Sequence, residues 1–347
     1  MNQQIGKGSL CFSEAPFIIG TASVVGTKEG EGPLAEEFDC IGSDDKFGQD
    51  TWEAAESSLQ QEALTLALGK ADKKPEDMRY LFAGDLLGQL IASSFGLKTF
   101  EIPLFGLYGA CSTCGEALAL SSMTVAAGYA DHVAAVTSSH FASAEKQFRF
   151  PLEYANQRPV SATWTVTGAG AFILASAKKQ KDENTDKVLA KIAGVTTGKI
   201  VDYGIKDSMN MGAVMAPAAA ELIAQNLTDF DRQPEDYDAI VTGDLGEVGH
   251  KILIDLLNKK GYDISKVHQD CGMLIYDNKT QGTGSGGSGC GCAASTLSAH
   301  FLPRLQDGTM KRILFVPTGA LLSTVSFNEG QSIPGIAHGV VLESGGK

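Results

Sequence analysis

A cysteine at a predicted turn between a strand and a helix is the residue of this chain best suited to chemistry. It lies in the run Gly-Ala-Cys-Ser-Thr-Cys-Gly-Glu at residues 109–116. A short apolar segment from Glu101 to Tyr108 precedes Cys111, and small and apolar residues recur at helical spacing after it. Thr113 and Glu116 have the spacing of a capping box, which predicts that the helix begins just past the cysteine.

A thiol at the start of a helix can serve in two ways. The positive end of the helix dipole favours thiolate over thiol. Cys111 is therefore a candidate nucleophile and also a candidate contact for an anionic ligand. Free cysteine is in addition among the residue types most often buried. The position alone leaves nucleophile, ligand contact and buried structural residue open.

The composition excludes several classes of function. The chain has 347 residues, of which 43% are apolar and 20% charged, as in globular proteins with one or two substantial cores. Its net charge is -13 and Lys and Arg are not clustered, which argues against binding to nucleic acid or to an anionic lipid surface. The first residues lack a signal-peptide pattern, and no apolar run approaches the roughly twenty residues that span a bilayer. We expect a protein that is not itself inserted in a membrane.

The cysteines give little sign of a metal site. There are seven, an odd number that argues against a disulfide framework and for a reducing compartment. Cys111 and Cys114 form one C-x-x-C pair, and Cys290 and Cys292 form one C-x-C pair. Without nearby histidines these pairs are a weak signal for zinc. We predict neither a metal site nor a cofactor.

A twelve-residue segment occurs twice and divides the chain into two similar parts. Residues 75–86 and 234–245 share six of twelve residues without a gap, and the helices predicted before them align in the same register. A polar, lysine-rich stretch at 177–187 is suited to a linker. The repeat predicts two similar α/β halves, residues 1–185 and 186–347.

The repeated strands end at candidate ligand residues. Asp85 and Asp244 follow them, and the glycine-rich turn 282–292 holds in the second half the place of the Cys111 turn in the first. Ligands of open α/β sheets collect at the carboxyl ends of strands, so these aspartates, Cys111 and residues 286–290 should converge on one pocket. Each aspartate can equally cap its own turn. The glycine-rich turn lacks the lysine of a P-loop and the context of a G-x-G-x-x-G motif, which argues against nucleotide binding.

The duplicated α/β unit, with a cysteine at the start of a central helix, resembles the thiolase and ketoacyl-synthase fold. Longer segments closely resemble the stage V sporulation protein AD family of spore-forming bacteria, in family order along nearly the whole chain. Those segments are residues 105–116, 135–140, 145–151, 211–220, 243–245, 287–290, 318–323 and 336–341. The chain is identified as a member of that family, with two α/β halves related by a pseudo-two-fold axis and layered α-β-α-β-α.

The family resemblance implies a specific role. It implies that the chain binds dipicolinic acid (pyridine-2,6-dicarboxylate) and is needed for uptake of this acid and its calcium chelate into the developing spore. It also implies that the partners are integral membrane proteins of the same channel complex, with this chain peripheral at the spore inner membrane. A soluble, acidic composition is compatible with that role.

Acyl transfer through Cys111 is the alternative function. Enzymes of the thiolase fold activate the cysteine and stabilise the oxyanion with histidines, or a histidine and an asparagine, supplied mainly by the second half. Where the fold usually places these residues, this chain has Gly and Asp at 243–244 and Gly-Gly-Ser at 286–288. Only His140 and His338 are expected near the pocket, and both are better explained as structural. We therefore expect a degenerate site that binds a ligand rather than an enzyme.

A planar dianion suits a pocket formed by helix N-termini and glycine turns, because their N–H groups donate to carboxylates. Tyr108 or Phe148 can stack on a pyridine ring. Arg149 and Arg158 are the cationic candidates, and Arg149 is preferred because two phenylalanines flank it. The predicted ligand-binding residues are Asp85, Cys111, His140, Arg149, Asp244, Gly287, Ser288 and Cys290.

Two further hypotheses concern calcium and the partner surface. Asp85 and Asp244 would repel free dipicolinate but tolerate or favour its calcium chelate, since hard cations take carboxylate oxygens. A third class of function is a scaffold that docks membrane partners while its pocket is vestigial. For such docking the surface excursion 29–50, rich in glycine and acid, is either a partner surface or a mobile solvated loop. The oligomeric state stays open.

Overall fold

The computed structural model describes residues 3–148, 157–182 and 188–345. The strands are β1 (Gln4–Ile5), β2 (Ser9–Cys11), β3 (Phe17–Val25), β4 (Cys40–Ile41), β5 (Tyr80–Asp85), β6 (Leu104–Gly106), β7 (His132–Ser139), β8 (Trp164–Thr165), β9 (Gly168–Ala175), β10 (Ala190–Thr197), β11 (Ala239–Thr242), β12 (His268–Asp270), β13 (Gly287–Ser288), β14 (Arg312–Val316), β15 (Thr318–Ala320) and β16 (Gly335–Glu343). The helices are α1 (Trp52–Ala71), α2 (Ile91–Leu97), α3 (Thr113–Ala126), α4 (Phe141–Phe148), α5 (Ala177–Asp182), α6 (Met211–Asp229), α7 (Gly246–Lys259), α8 (Cys271–Leu274), α9 (Asn278–Gln281), α10 (Cys290–Thr296), α11 (Leu302–Gln306) and α12 (Thr324–Asn328). Within these described ranges, none of the helices combines the length and the apolar character needed to cross a lipid bilayer.

The main sheet repeats one arrangement of strands on its two sides. Its order is β12-β11-β14-β16-β10-β3-β9-β7-β5-β6. Counted outwards from the contact between β3 and β10, the first two pairings on each side are antiparallel and the next two are parallel. The two similar α/β halves predicted from the sequence repeat are therefore present. The predicted boundary between residues 185 and 186 lies outside the described residues.

Helices cover the strands in three layers, each with its own apolar core. Helices α1 and α2 pack on the outer face of the first half, and α6 and α7 pack on the outer face of the second. Helices α3 and α10 lie between the halves, where they contact each other; α3 packs on strands of both halves and α10 on strands of the first. The middle layer thus brings the starts of α3 and α10 together, as the predicted α-β-α-β-α layering requires.

The turn before α3 is stabilised by its own hydroxyl groups. The helix begins at Thr113, as predicted, but Ser112 is its N-cap and makes no capping bond to the helix. The Ser112 hydroxyl instead donates to the carbonyl of Gly109 at 2.7 Å, and the Thr113 hydroxyl donates to that of Ala110 at 2.6 Å. The predicted capping box with Glu116 is therefore wrong, because both hydroxyls bond backward into the turn.

The first turn of the surface excursion 29–50 is hydrogen-bonded to the second half of the chain. Glu29 is buried and accepts a hydrogen bond from the hydroxyl of Tyr276 in the second half. Lys28 and Gln281 exchange two hydrogen bonds, each of 2.7 Å. A mobile solvated loop is therefore the wrong description of its first turn, while docking of a partner by the remainder stays a prediction.

Candidate functional site

A pocket opens where the turns before α3 and α10 meet. Its volume is about 70 Å³. The large apolar side chains of its wall are Leu86, Tyr108, Phe148, Met211 and Leu322. The polar residues of its wall are Cys111, Glu145, Thr163, Thr165, Ser208 and Ser288. Residues from both halves contribute, so we call this space the Cys111 pocket.

A row of hydrogen bonds leads from the thiol to a buried carboxylate. The Cys111 sulfur lies 4.0 Å from the hydroxyl oxygen of Ser288. Ser288 donates its own proton to Asp244 Oδ2 at 3.0 Å, so its oxygen is left to accept from the thiol. The N–H of Gly289 donates to the same carboxylate oxygen at 2.9 Å, and the Thr318 hydroxyl donates to Oδ1 at 2.8 Å. The order is thiol, hydroxyl, carboxylate.

This arrangement stabilises the neutral thiol. Burial, and next the negative charge of Asp244, raise the pKa of the Cys111 thiol well above its ordinary value. Burial also raises the pKa of Asp244 to about 6, so that carboxyl is mostly ionised at neutral pH. The prediction that the helix start favours a thiolate is therefore wrong, because burial and a nearby anion outweigh the helix dipole.

A short pairing of distant segments places Ser288 and the Gly289 N–H. Strand β13 pairs in parallel with β8, which sets Ser288 opposite Thr165. Gly289 has φ 104°, in the left-handed region, and a Cβ there would lie 2.5 Å from the hydroxyl oxygen of Ser139. Only glycine therefore allows the turn that points the N–H at Asp244.

A buried ion pair forms another part of the wall. Glu145 Oε1 lies 2.8 Å from Nη2 of Arg158, and the two side chains are only 2% and 8% exposed. Arg158 also donates to the carbonyl of Thr163 at 2.6 Å, and its guanidinium lies 4.6 Å from the ring centre of Trp164. The Thr165 hydroxyl is 3.4 Å from the same oxygen of Glu145. These contacts fix a carboxylate in the pocket wall.

The comparison of sequences decides the family. The family model of stage V sporulation protein AD matches residues 6–343. Stage V sporulation protein AD of Bacillus subtilis (strain 168) is 40% identical over 341 residues, which cover 98% of each chain. This chain belongs to the stage V sporulation protein AD family. The family predicted from the sequence is confirmed.

Solved structures place this family member in the thiolase-like fold. The 3-oxoacyl-[acyl-carrier-protein] synthase III from Aquifex aeolicus VF5 matches with a TM-score of 0.55 and 14% identity, over 94% of this chain and 99% of that one. Human mitochondrial 3-ketoacyl-CoA thiolase, in complex with CoA, matches with a TM-score of 0.58 and 15% identity, over 97% and 99%. At these identities the likeness shows the fold alone, and the predicted fold class is confirmed.

Some of the residues predicted to bind ligand lie at the pocket of this stage V sporulation protein AD family member. Cys111 and Ser288 line it, and so do the aromatic candidates Tyr108 and Phe148. Contact of any of them with a ligand stays a prediction. Arg149 lies outside the described residues.

Asp85 is not brought to the pocket wall. Its carboxylate is fully buried, and the N–H of Leu87 donates to Oδ1 at 3.1 Å. The N–H and hydroxyl of Ser93 donate to Oδ2 at 2.9 and 2.8 Å. The loop and the start of helix α2 that follow Asp85 thus occupy its carboxylate, as in the turn-capping alternative stated from the sequence.

The two histidines expected near the pocket are buried elsewhere. Nε2 of His140 lies 2.7 Å from the carbonyl oxygen of Asp45, and its ring packs on Trp52 with 5.5 Å between ring centres. Burial lowers the pKa of His140, and it lowers the pKa of His338 to about 4. Neither side chain is among those that line the Cys111 pocket in the described part of the chain.

Gly287 and Cys290 lie behind the wall rather than in it. Gly287 pairs with Trp164 in the β8–β13 contact, and the Cys290 thiol donates to the carbonyl of Ser138 at 2.8 Å. The ligand-binding residues predicted from the sequence do not include Glu145 or Thr318. The available signal for Glu145 was a lone acid after the small residues Ala-Ser-Ala near the start of a helix.

Proposed function

We propose that this chain is a non-catalytic member of the thiolase-like fold that binds dipicolinic acid, or its calcium chelate, in the Cys111 pocket and supports its uptake into the developing spore. The observation that carries the proposal is the row from Cys111 through Ser288 to Asp244. A carboxylate ends that row, and among the described residues no histidine lines the pocket.

The chemistry of the row favours binding over catalysis. A cysteine nucleophile attacks as the thiolate. The thiolate forms when an adjacent base takes the proton of the thiol or when a nearby positive charge stabilises the anion. Here the neighbour of Cys111 is the hydroxyl of Ser288, whose proton is directed to Asp244. Forming a thiolate would place a second negative charge beside that carboxylate. The site therefore stabilises the resting thiol.

The pocket offers contacts of the kind that an aromatic dicarboxylate needs. Tyr108 and Phe148 line the pocket, and aromatic rings can stack on a flat ligand. The hydroxyls of Thr163 and Ser208 line the same space and are able to donate to carboxylate oxygens. Family membership supports a role in sporulation, and the ligand and its transport are our proposal.

Partners form the second part of the proposal. We assign to this chain a peripheral position at the spore inner membrane, where it works with integral membrane proteins of the same channel complex. Fractionation of sporulating cells tests this. The chain should sediment with membranes from cells that make the channel proteins and remain in the supernatant of cells that lack them. Equal sedimentation in both strains would contradict the assignment.

Calorimetric titration tests the binding function. Purified protein is titrated with dipicolinate, with and without calcium, and Cys111→Ala is titrated beside a matched Cys11→Ala variant of an exposed cysteine. We expect saturable binding to the parent and to Cys11→Ala, and altered affinity for Cys111→Ala because the thiol lines the pocket. Absence of binding to the parent in both conditions would refute the proposal.

Acyl transfer remains the competing function, because Cys111 lines a pocket just before the start of helix α3. Incubation with acyl-CoA followed by mass spectrometry of the intact chain distinguishes the two. We expect no acyl adduct. A stable adduct on the parent that is absent from Cys111→Ala, without dipicolinate binding, would support acyl transfer through Cys111 and contradict the binding function.

A further inference from the structure

The first turn of the surface excursion 29–50 contains a buried acid that the proposed function does not use. Glu29 is 1% exposed, and its Oε1 accepts from the hydroxyl of Tyr276 and, at 3.0 Å, from the N–H of Thr167. Its Oε2 is also buried, and within the described part of the chain no group is hydrogen-bonded to it. An ionised carboxylate is costly in that position, because burial removes the solvent that stabilises its charge.

A second carboxylate faces the same space. A Cβ on Gly26 would lie 2.8 Å from Glu29 Oε2 and 2.9 Å from Asp45 Oδ1, so both oxygens border the small volume beside this glycine. Asp45 is held there by Thr27, whose N–H and hydroxyl donate to Oδ1 at 3.0 and 2.8 Å. Burial, and to a lesser extent the charge of Asp45, raise the pKa of Glu29 to about 7. Glu29 therefore gains and loses its proton near neutral pH.

The other titratable and charged groups around Glu29 do not neutralise its charge. Burial raises the pKa of its partner Tyr276 well above the ordinary value, and it does the same to the thiol of Cys292 near that ring. Both groups are therefore uncharged at neutral pH. The ammonium of Lys28 is bound elsewhere, because it donates to the carbonyl of Gln281 at 2.7 Å.

The neighbours of Glu29 also hold the start of helix α4, which supplies part of the wall of the Cys111 pocket. The hydroxyl of Thr167 accepts from the N–H of Phe141, the first residue of α4, at 3.1 Å. The carbonyl oxygen of Asp45 lies 2.7 Å from Nε2 of His140, the residue before the helix. Burial lowers the pKa of His140, so this ring is mainly neutral at pH 7. Two groups that adjoin Glu29 thus fix the first turn of α4.

We propose that protonation of Glu29 controls how firmly the excursion 29–50 closes on the second half and, through this contact, how firmly the start of α4 is held at the Cys111 pocket. With its proton, Glu29 keeps the first turn of the excursion on Tyr276 and Thr167. Without the proton, the buried charge beside Asp45 favours opening of that turn. The inference goes beyond the proposed function, since it does not depend on which ligand the pocket takes.

Acid favours the closed turn. The pKa of Glu29 rises from its ordinary value of 4.5 to about 7 in the closed turn, so closing takes up a proton that the open turn releases. The stabilisation is complete below pH 4.5 and is lost as the pH rises through about 7. Between about pH 6 and about pH 8 the ratio of open to closed turns should rise about tenfold.

Hydrogen–deuterium exchange of the full chain, corrected for the chemical exchange rate, measures this opening. Peptides that span residues 29–34, 165–170 and 139–145 report on the first turn, on Thr167 and on the start of α4. We expect protection in all three to fall about tenfold between about pH 6 and about pH 8. A peptide from α6, on the outer face of the second half, should keep its protection.

Two substitutions in the same turn give a variant and a matched control. In Glu29→Gln the amide oxygen can accept from Tyr276 and Thr167, and the amide nitrogen takes the place of the protonated Oε2 beside Asp45. We therefore expect this variant to fold and to remain closed at both pH values. Glu31→Gln changes an exposed acid two residues further along the chain and should retain the pH dependence of the parent.

One more buried acid contacts α4 and needs its own control. Glu56 accepts from the hydroxyl of Ser143 at 2.7 Å, and burial raises its pKa to about 8. Glu56→Gln should retain the fall in protection at residues 29–34 and 165–170. Glu29→Gln should lose the fall at these two segments and most of the fall at 139–145.

The parent alone already tests the proposal, because equal protection at both pH values would overturn it whether or not a variant folds. The same fall in Glu29→Gln as in the parent would show that another group releases the proton, and would also overturn it. A fall that spares residues 139–145 would overturn the link to α4. None of these measurements uses dipicolinate, so their failure leaves the proposed function standing, and a lack of dipicolinate binding leaves this inference standing.

Discussion

The two halves end a repeated strand with the same Gly-Asp-Leu, yet the two aspartates have different partners. Asp85 accepts hydrogen bonds from the segment that directly follows it, chiefly from Ser93 of α2. Asp244 accepts from Ser288 and Thr318, which belong to β13 and β15, outside its own loop. Duplication thus preserved the strand end and its acid, while the surroundings of each acid determine whether it caps a turn or orients a pocket residue.

Each aspartate also lies close to a second buried carboxyl. Glu56 accepts from the hydroxyls of Ser138 and Ser143 at 2.8 and 2.7 Å, and burial, followed by repulsion from Asp85, raises the pKa of Glu56 to about 8. Asp270 likewise contributes to the raised pKa of Asp244. Glu56 and Asp85 thus make these hydrogen bonds within the first half. Asp244 in contrast orients Ser288, which lines the Cys111 pocket.

The largest expected effect comes from removing the capping acid. Asp85→Ala leaves the buried N–H groups of Leu87 and Ser93 without their acceptor. We expect the free energy of unfolding to fall by about 3 kcal/mol, less any relief at Glu56, in urea denaturation. The rate of alkylation of Cys111 should not change, because Asp85 does not line the pocket.

A second aspartate of the same repeated segment, Asp77, is exposed and gives a control. Asp77 accepts one bond, from the N–H of Lys74 at 2.8 Å, in an exposed turn. Asp77→Ala should therefore cost less than about 1 kcal/mol. If Asp85→Ala lowers the free energy of unfolding by no more than Asp77→Ala does, the hydrogen bonds to Asp85 do not stabilise the fold as inferred here.

The fold and the strand ends were predictable from the sequence for a physical reason. The repeated segment carries its turn, its apolar strand and its Gly-Asp at fixed spacing, so local order alone places Asp85 and Asp244 at the ends of β5 and β11. The cysteine at a helix start was visible in the same way, from the change of apolar spacing at residue 111.

The partners of those residues were not predictable, because they depend on segments far apart in the chain. Ser288 meets Asp244 only through the left-handed turn at Gly289 and the pairing of β13 with β8. Glu145 is placed by Arg158, which the sequence suggested only as a direct ligand for an anion. Side-chain contacts between distant segments leave no local pattern in the sequence, so the burial of the Cys111 thiol beside Asp244 could not be predicted.

A smaller effect should distinguish the two aspartates at the thiol. Asp244→Asn removes the negative charge near Cys111, and Thr318 can turn its hydroxyl to accept from the new amide. We expect the pKa of the Cys111 thiol to fall, because the negative charge that raises it is gone, and the alkylation rate at mildly alkaline pH to rise by a factor on the order of ten. Peptide mass spectrometry after treatment with iodoacetamide measures the rate at this cysteine.

Two controls accompany that measurement. The exposed Cys11 of the same chain reports the rate of an unhindered thiol and should be unaffected. Asp85→Asn should leave the rate at Cys111 unchanged, because the carboxylate of Asp85 is hydrogen-bonded to Leu87 and Ser93 and does not line the pocket. Equal acceleration by both substitutions would remove the difference between the aspartates on which the comparison depends.

The smallest effect is a dependence of stability on pH that belongs to the first-half pair. The folded-state pKa of Glu56, about 8, lies above its ordinary value of 4.5, so the folded chain holds a proton that the unfolded chain releases. The resulting stabilisation is complete below pH 4.5 and is lost as the pH rises through the folded-state pKa. Between about pH 7 and pH 8 we expect the free energy of unfolding to fall by about 1 kcal/mol.

The comparison with Glu56→Gln decides whether that dependence comes from this carboxyl. The amide can still accept from Ser138, and the Ser143 hydroxyl can turn to the carbonyl of His140, 3.1 Å away, so we expect the variant to fold. Its stability should vary less over the same range, with Glu29, whose pKa burial raises to about 7, supplying the remaining slope. Asp244 has a pKa of about 6 and is already ionised there, so Asp244→Asn should keep the slope of the parent. A dependence of stability on pH that is lost in Asp244→Asn and kept in Glu56→Gln would contradict this assignment. The proton taken up on folding would then belong to Asp244 and not to Glu56.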